Sequence, residues 1–113
     1  MKLVIIQSPF SGDTERNIAY ARAAVRDSVM RGESPIASHL LFTQEGILDN
    51  NIPEERSRGI IAGLAWRRVC DFAAFYIDNG WSHGMIEARH LYKREEIPFV
   101  ERRLIVTTRV LQP

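Results

Sequence analysis

Along the chain, short continuous apolar runs alternate with longer stretches in which apolar residues recur every three or four positions. The runs are Leu3-Val4-Ile5-Ile6, Pro35-Ile36-Ala37-Ser38-His39, Phe72-Ala73-Ala74-Phe75-Tyr76-Ile77 and Pro98-Phe99-Val100. Unbroken runs of this kind predict strands, and those rich in aliphatic and aromatic residues predict strands covered on both faces. Between them, Ile18, Ala21, Val25 and Val29 mark the inner face of a helix that starts near Asp13 or Thr14 and stops at Gly32. Ile60, Ile61, Leu64 and Ala65 predict a buried stripe on a second helix over 53–69. That helix opens on Pro53 with Glu54 and Glu55 at the positive end of its dipole. Residues 85–94 contain no Gly or Pro and predict a third helix. The connection over 40–53 is long for a compact domain, the length expected of a lid or binding loop. Residues 104–111 are β-prone, fit for a last strand or an arm reaching a partner subunit.

The resulting order, β-α-β-α-β-α-β, predicts an α/β three-layer sandwich: a four- to five-stranded, mainly parallel sheet in a flavodoxin-like arrangement, with helices on both faces. Residues 1–113 are expected to form a single domain, with no repeat or linker. Hydrophobic residues make up 45% and charged residues 26%, the balance of a globular protein. A net charge of +1 gives no pull toward a nucleic-acid polymer or a membrane surface. Cys70 is the single cysteine, so neither an intrachain disulfide nor a CxxC zinc site is available. The first apolar run ends at Gln7, too short for a signal peptide or membrane span, and the expected location is cytoplasmic.

Candidate chemistry concentrates in Asp78-Asn79-Gly80-Trp81-Ser82-His83-Gly84-Met85-Ile86-Glu87, between the third strand and the helix after it. In open α/β sheets, ligands bind beyond the carboxyl ends of the strands, where helix N-termini point. Asp78 ends the strand and Glu87 lies in the early turns of the helix. Two acids facing one crevice are the minimum equipment for cutting a glycosidic bond. Each also has a plainer reading: Asp78 as an Asx-turn residue, Glu87 as a surface acid complementing the dipole. Ser8 stands at the mouth of the first strand, and Ser38 and His39 at the end of the second. His39 is then a base, a phosphate contact or a structural residue. Phe10 and Trp81, both in loops, are the stacking candidates, whereas Trp66, Phe72 and Phe75 are expected in the core. Arg16 and Asn17 can reach the crevice from the first helix. His83, Glu87 and His90 share one helical face, but a single helix gives poor metal geometry, and no metal is expected.

The chain resembles the nucleoside 2-deoxyribosyltransferase-like superfamily, in particular a short branch found in phage and bacteria. The resemblance covers nearly the full length. It rests on Ser8-Pro9-Phe10-Ser11-Gly12, Glu15-Arg16-Asn17-Ile18-Ala19-Tyr20-Ala21-Arg22 and Pro35-Ile36-Ala37-Ser38-His39-Leu40-Leu41. Ile52-Pro53-Glu54-Glu55-Arg56, Ala62-Gly63-Leu64-Ala65-Trp66 and the Ser82-x-Gly84-Met85 turn complete it. In that superfamily a Glu on the helix after the third strand attacks the anomeric carbon of a 2-deoxyribosyl group, and another base or water then takes the sugar. Glu87 matches that residue, five positions after Ser82, and Asp78 matches the strand-end acid. Asn79-Gly80-Trp81 departs from the usual spacing, and Ala88-Arg89 stands where a small Gly often follows.

What the resemblance implies is N-glycosidic bond cleavage or base exchange on a deoxynucleoside or its 5′-monophosphate. Glu87 would be the nucleophile and Asp78 the proton donor. Ser8, Phe10, Arg16, Ser38, His39, Trp81, Ser82, Gly84 and Met85 would bind substrate, with the backbone N–H groups at the helix start holding a phosphate. No metal or organic cofactor is implied, because the two acids do the chemistry. Relatives of this type form dimers or larger rings, so a homodimer or larger homo-oligomer is expected. The alternatives are a non-catalytic nucleotide-binding or ligand-sequestering protein with the same pocket, and a purely structural oligomer.

Overall fold

The computed structural model describes residues 1–104. In chain order it contains β1 (Leu3–Gln7), α1 (Thr14–Met30), β2 (Ser34–Ile36), α2 (Ser38–Leu41), α3 (Pro53–Leu64), β3 (Phe72–Tyr76), α4 (His83–Arg94) and β4 (Phe99–Arg102). The four strands form one sheet in the order β2-β1-β3-β4. Every pairing is parallel: Ile5 stands opposite Ile36 on one side and Ala73 on the other, and Ala73 opposite Phe99. This is the α/β, flavodoxin-type arrangement that the alternation of runs predicts. Apart from Leu104, the β-prone segment 104–111 lies outside the described residues.

The period of two along each strand divides the core in two. Val4, Ile6, Ala74 and Tyr76 point to one face, where Ala24 of α1 covers them with Tyr20 and Val25 packed alongside. Ile5, Ala73, Phe75 and Ile77 point to the other face, beneath Met85, Ala88 and Tyr92 of α4. Asp13 caps α1 by accepting from the Arg16 N–H at 3.2 Å, and the helix stops before Gly32 as its composition predicts. Its expected inner face holds at Ala21 but not at Val29, which is 53% exposed.

The second half of the connection from β2 to β3 departs most from expectation. The strand is only three residues long, and Ser38 and His39 open a short helix instead of ending it. Helix α3 begins at Pro53 with both acids in its first turn, then gives way after Leu64 to a 3-10 turn over Ala65–Arg68. Its expected buried stripe is absent: Ile60 is 53% and Ile61 70% exposed, and Trp66, expected in the core, is 43% exposed. Each such side chain forgoes about half of the ~1.5–3 kcal/mol that full burial contributes, so the apolar stripe does not seat α3 on the sheet. Gly63 instead seats α3 on α2. A Cβ there would fall 2.3 Å from the Ser38 Oγ, so only glycine lets α3 approach α2 this closely. No described helix is long and apolar enough to cross a membrane.

Candidate functional site

Because α3 stands off the sheet, a hollow of about 730 Å³ opens between it and α4, beyond the carboxyl end of β1. Parallel α/β sheets hold ligands at this end. Its floor includes Gln7, the last residue of β1, whose amide donates to the Tyr92 hydroxyl at 2.9 Å. Gln7 has the same strand parity as Ile5, so it faces α4. Phe42, Leu48, Ile60, Leu64 and Leu91 supply an apolar wall. The connection over 40–53, expected as a lid or binding loop, is helical at both ends, and its irregular part contributes Phe42, Thr43, Leu48 and Asn50.

Of the residues anticipated from sequence, Ser8, Phe10, Ser38, His39, Ser82, Gly84, Met85 and Glu87 all line this hollow. Ser8 is buried, and its Oγ lies 2.7 Å from the His39 Nε2. Burial pushes the His39 imidazole down to about 4 from its ordinary 6.5, so it is neutral at physiological pH. Thr43 Oγ1 donates to the His39 carbonyl at 2.6 Å, which pins the turn carrying the imidazole. Phe10 meets the His39 ring edge-on, 6.2 Å between centroids. The loop that presents Phe10 is held from α1 by the buried Asn17, whose amide donates to the Phe10 and Ser11 carbonyls, both at 3.0 Å. Asn17 therefore reaches the site through backbone, not through the ligand space.

The turn before α4 forms as its residues dictate. The Gly80 N–H donates to the Ile77 carbonyl at 3.0 Å, and Gly80 takes a φ of 84°, which a side chain would resist. Ser82 then caps α4, its Oγ accepting from the Met85 N–H at 3.3 Å. One turn on, Glu87 sits at the rim, 68% exposed, its carboxylate 2.9 Å from the His83 Nε2. Arg56 and Arg94 add positive charge to the wall and Glu55 negative charge. Among the described residues, no group of three or more His, Cys, Asp or Glu side chains is placed to hold a metal ion.

Three anticipated residues stand elsewhere. Asp78 does not share the hollow with Glu87. It follows Ile77 on a chain that alternates faces, and so turns to the α1 side. There its Oδ2 accepts from the Tyr20 hydroxyl at 2.5 Å and the Leu104 N–H at 2.9 Å. The Asp78 N–H in turn donates to the Tyr20 oxygen at 2.9 Å. Burial and this carboxylate raise the Tyr20 hydroxyl far above the ordinary phenol range, keeping it a donor. The expected convergence of the two acids on one crevice is thus corrected by strand parity. Arg16 points to the Asn79 side chain at 2.9 Å, in solvent. Trp81 packs on Phe75, centroids 4.9 Å apart, with the Arg89 guanidinium 4.5 Å over its ring, and serves as a cover for the core.

Residues 2–102 match the family model described as a domain of unknown function, DUF7768. The chain belongs to that family. No match was found among curated proteins. Among solved structures, this DUF7768 chain is similar to a 2-deoxyribosyltransferase from the psychrotolerant bacterium Bacillus psychrosaccharolyticus, with a TM-score of 0.63 at 16% sequence identity. The match covers 89% of this chain and 72% of that one. At that identity the likeness speaks to the fold.

Sequence reading overlooked Gln7, Tyr92 and the apolar wall. Gln7 had a usable signal: a polar residue closing a buried strand on the α4 face. The wall had none, since Ile60 and Leu64 read as ordinary core positions.

Proposed function

We propose that this protein acts on the N-glycosidic bond of a deoxynucleoside or its 5′-monophosphate, by hydrolysis or base exchange, with Glu87 as nucleophile. One observation carries the reading: Glu87, in the early turns of α4, lines the rim of a nucleoside-sized hollow at the carboxyl end of a parallel sheet. A carboxylate there has open access to a bound sugar, and the His83 imidazole beside it orients the attacking oxygen. Phe10 offers a face to the base, and Ser38 and Ser82 offer hydroxyls to the sugar or phosphate. The fold shared with a 2-deoxyribosyltransferase supports the same choice. Asp78 has a positioning part in this reading, through Tyr20 and the chain leaving β4. A cytoplasmic location belongs to it too, as does assembly as a homo-oligomer, the latter supported by the bare apolar side chains of Ile61 and Val69.

The wide exposure of Glu87 favours a second reading, a protein that binds or sequesters a nucleotide without turning it over. Incubation with deoxynucleosides and their 5′-monophosphates, following free base, separates the two. Release that falls by roughly 10³-fold or more in Glu87→Gln establishes the enzyme. Saturable binding with no free base from the unmodified protein establishes the sequestering protein.

A further inference from the structure

Ser8 and His39 are 31 residues apart in sequence, yet their side chains meet at 2.7 Å in the lining of the hollow whose rim carries Glu87. The contact has the parts of a proton relay. Ser8 is 6% exposed, the imidazole is kept neutral by its surroundings, Phe10 meets the ring edge-on, and Thr43 holds the backbone carbonyl of the turn that carries it. A neutral imidazole offers no charge to a phosphate, so anion binding does not explain it. Its free-base form is the one that accepts a proton, through the hydroxyl it touches, and the burial that disfavours the imidazolium drives the onward loss of that proton. The Glu87 reaction has a use for that. Its first half leaves the sugar esterified to Glu87, and its second half needs water at the anomeric carbon to lose a proton. The other candidate acid, Asp78, does not line the hollow and is held by Tyr20.

We propose that Ser8 and His39 form the relay that deprotonates the attacking water in the second half of the reaction, making the protein a hydrolase and not solely a base-exchange enzyme. The proposal rests on the reading of Glu87 as nucleophile. As the water oxygen bonds to the anomeric carbon, the bond from that carbon to the Glu87 oxygen breaks, and its electron pair restores the carboxylate. The water proton passes to the Ser8 Oγ while the Ser8 hydroxyl proton passes to the His39 Nε2. The imidazolium then gives its proton to the expelled base anion, so the sum is glycoside plus water giving free sugar plus neutral base. Ser8 touches the water and is catalytic; His39 acts through Ser8.

The test compares one turnover with many, using a deoxynucleoside that the unmodified protein cleaves. His39→Gln and Ser8→Ala are each expected to release about one equivalent of base per site and then stall. Steady-state release should fall roughly 10²- to 10⁴-fold. Azide, an anionic nucleophile that needs no deprotonation, should restore turnover in both variants, a rescue that a structural defect would not permit. Unchanged steady-state release in either variant overturns the relay. So does a first equivalent that slows as much as the steady state in both, or a stall that azide does not relieve. Absence of base release from the unmodified protein instead removes the Glu87 reading, and the relay falls with it.

Discussion

The two faces of the sheet handle polar groups in opposite ways. On the α1 face they are paired with one another. Arg102 makes a two-pronged contact with Glu33, at 2.8 and 2.7 Å, and also donates to the Tyr76 hydroxyl at 3.1 Å. That hydroxyl donates to Asp27 at 2.7 Å, and Ser28 donates to Glu33 at 2.7 Å. The guanidinium and the Ser28 hydroxyl hold the Glu33 carboxyl below the usual carboxylate range, and burial pushes the Tyr76 phenol up to about 12. Asp78 and Tyr20 are occupied in the same manner. Beside α4, beyond the carboxyl end of the sheet, polar side chains instead border an open hollow, Ser8, His39, Ser82 and Glu87 among them. Groups saturated by each other tie elements together; groups facing a cavity remain available to a ligand. The acids of this chain divide along that line.

Breaking the closed face should have the largest effect on stability. Arg102→Met strands a carboxylate whose side chain is only 13% exposed, so unfolding free energy should drop by about 3–5 kcal/mol in urea titrations. Pairing it with Glu33→Leu should return much of that loss, since the desolvation cost disappears with the charge.

On the open face, Gly63→Val would drive a side chain into Ser38 at the junction of α2 and α3. We expect a loss of about 1–3 kcal/mol, together with weaker nucleoside binding as the hollow's α3 wall shifts. Undiminished stability would mean that α3 is free to move away from α2.

His39 links the comparison to pH. Its folded value near 4 lies below the ordinary 6.5, so the unfolded chain binds the extra proton between those values. Its contribution is therefore complete above about pH 6.5 and is lost as pH falls toward 4. Roughly 2 kcal/mol should disappear by pH 4.5, and His39→Gln should flatten this part of the profile in thermal melts. Glu33, also depressed, acts in the same direction but further into acid.

The smallest effect separates the faces most sharply. Asp78→Asn should cost about 1 kcal/mol, through weakened bonds to Tyr20 and the Leu104 N–H, and should change base release by less than about tenfold. A loss matching that of Glu87→Gln would place Asp78 in the chemistry despite its position.

Much of this was legible in the residue order. Continuous apolar runs separated by helical spacings allow little besides a parallel sheet with crossover helices, because each strand needs cover on both faces. The polar turn with Gly80 and Gly84 announces the start of the helix on which Glu87 lies, although the cap at Ser82 was not read from it. The same reading placed Ser8, Phe10 and His39 near one another, although His39 arrives on a helix instead of a strand. Two things were not legible. Ile60, Ile61 and Trp66 have the composition of a buried stripe, yet burial depends on what stands opposite, and composition does not record that. The side of the sheet taken by Asp78 depends on how far strand alternation persists past the last paired residue, a matter of one position. Local chemistry thus determined most of the elements, their order and the end of the sheet at which the hollow opens. Tertiary packing alone decided which acid meets the hollow, because a one-residue step along an extended chain reverses the direction of a side chain.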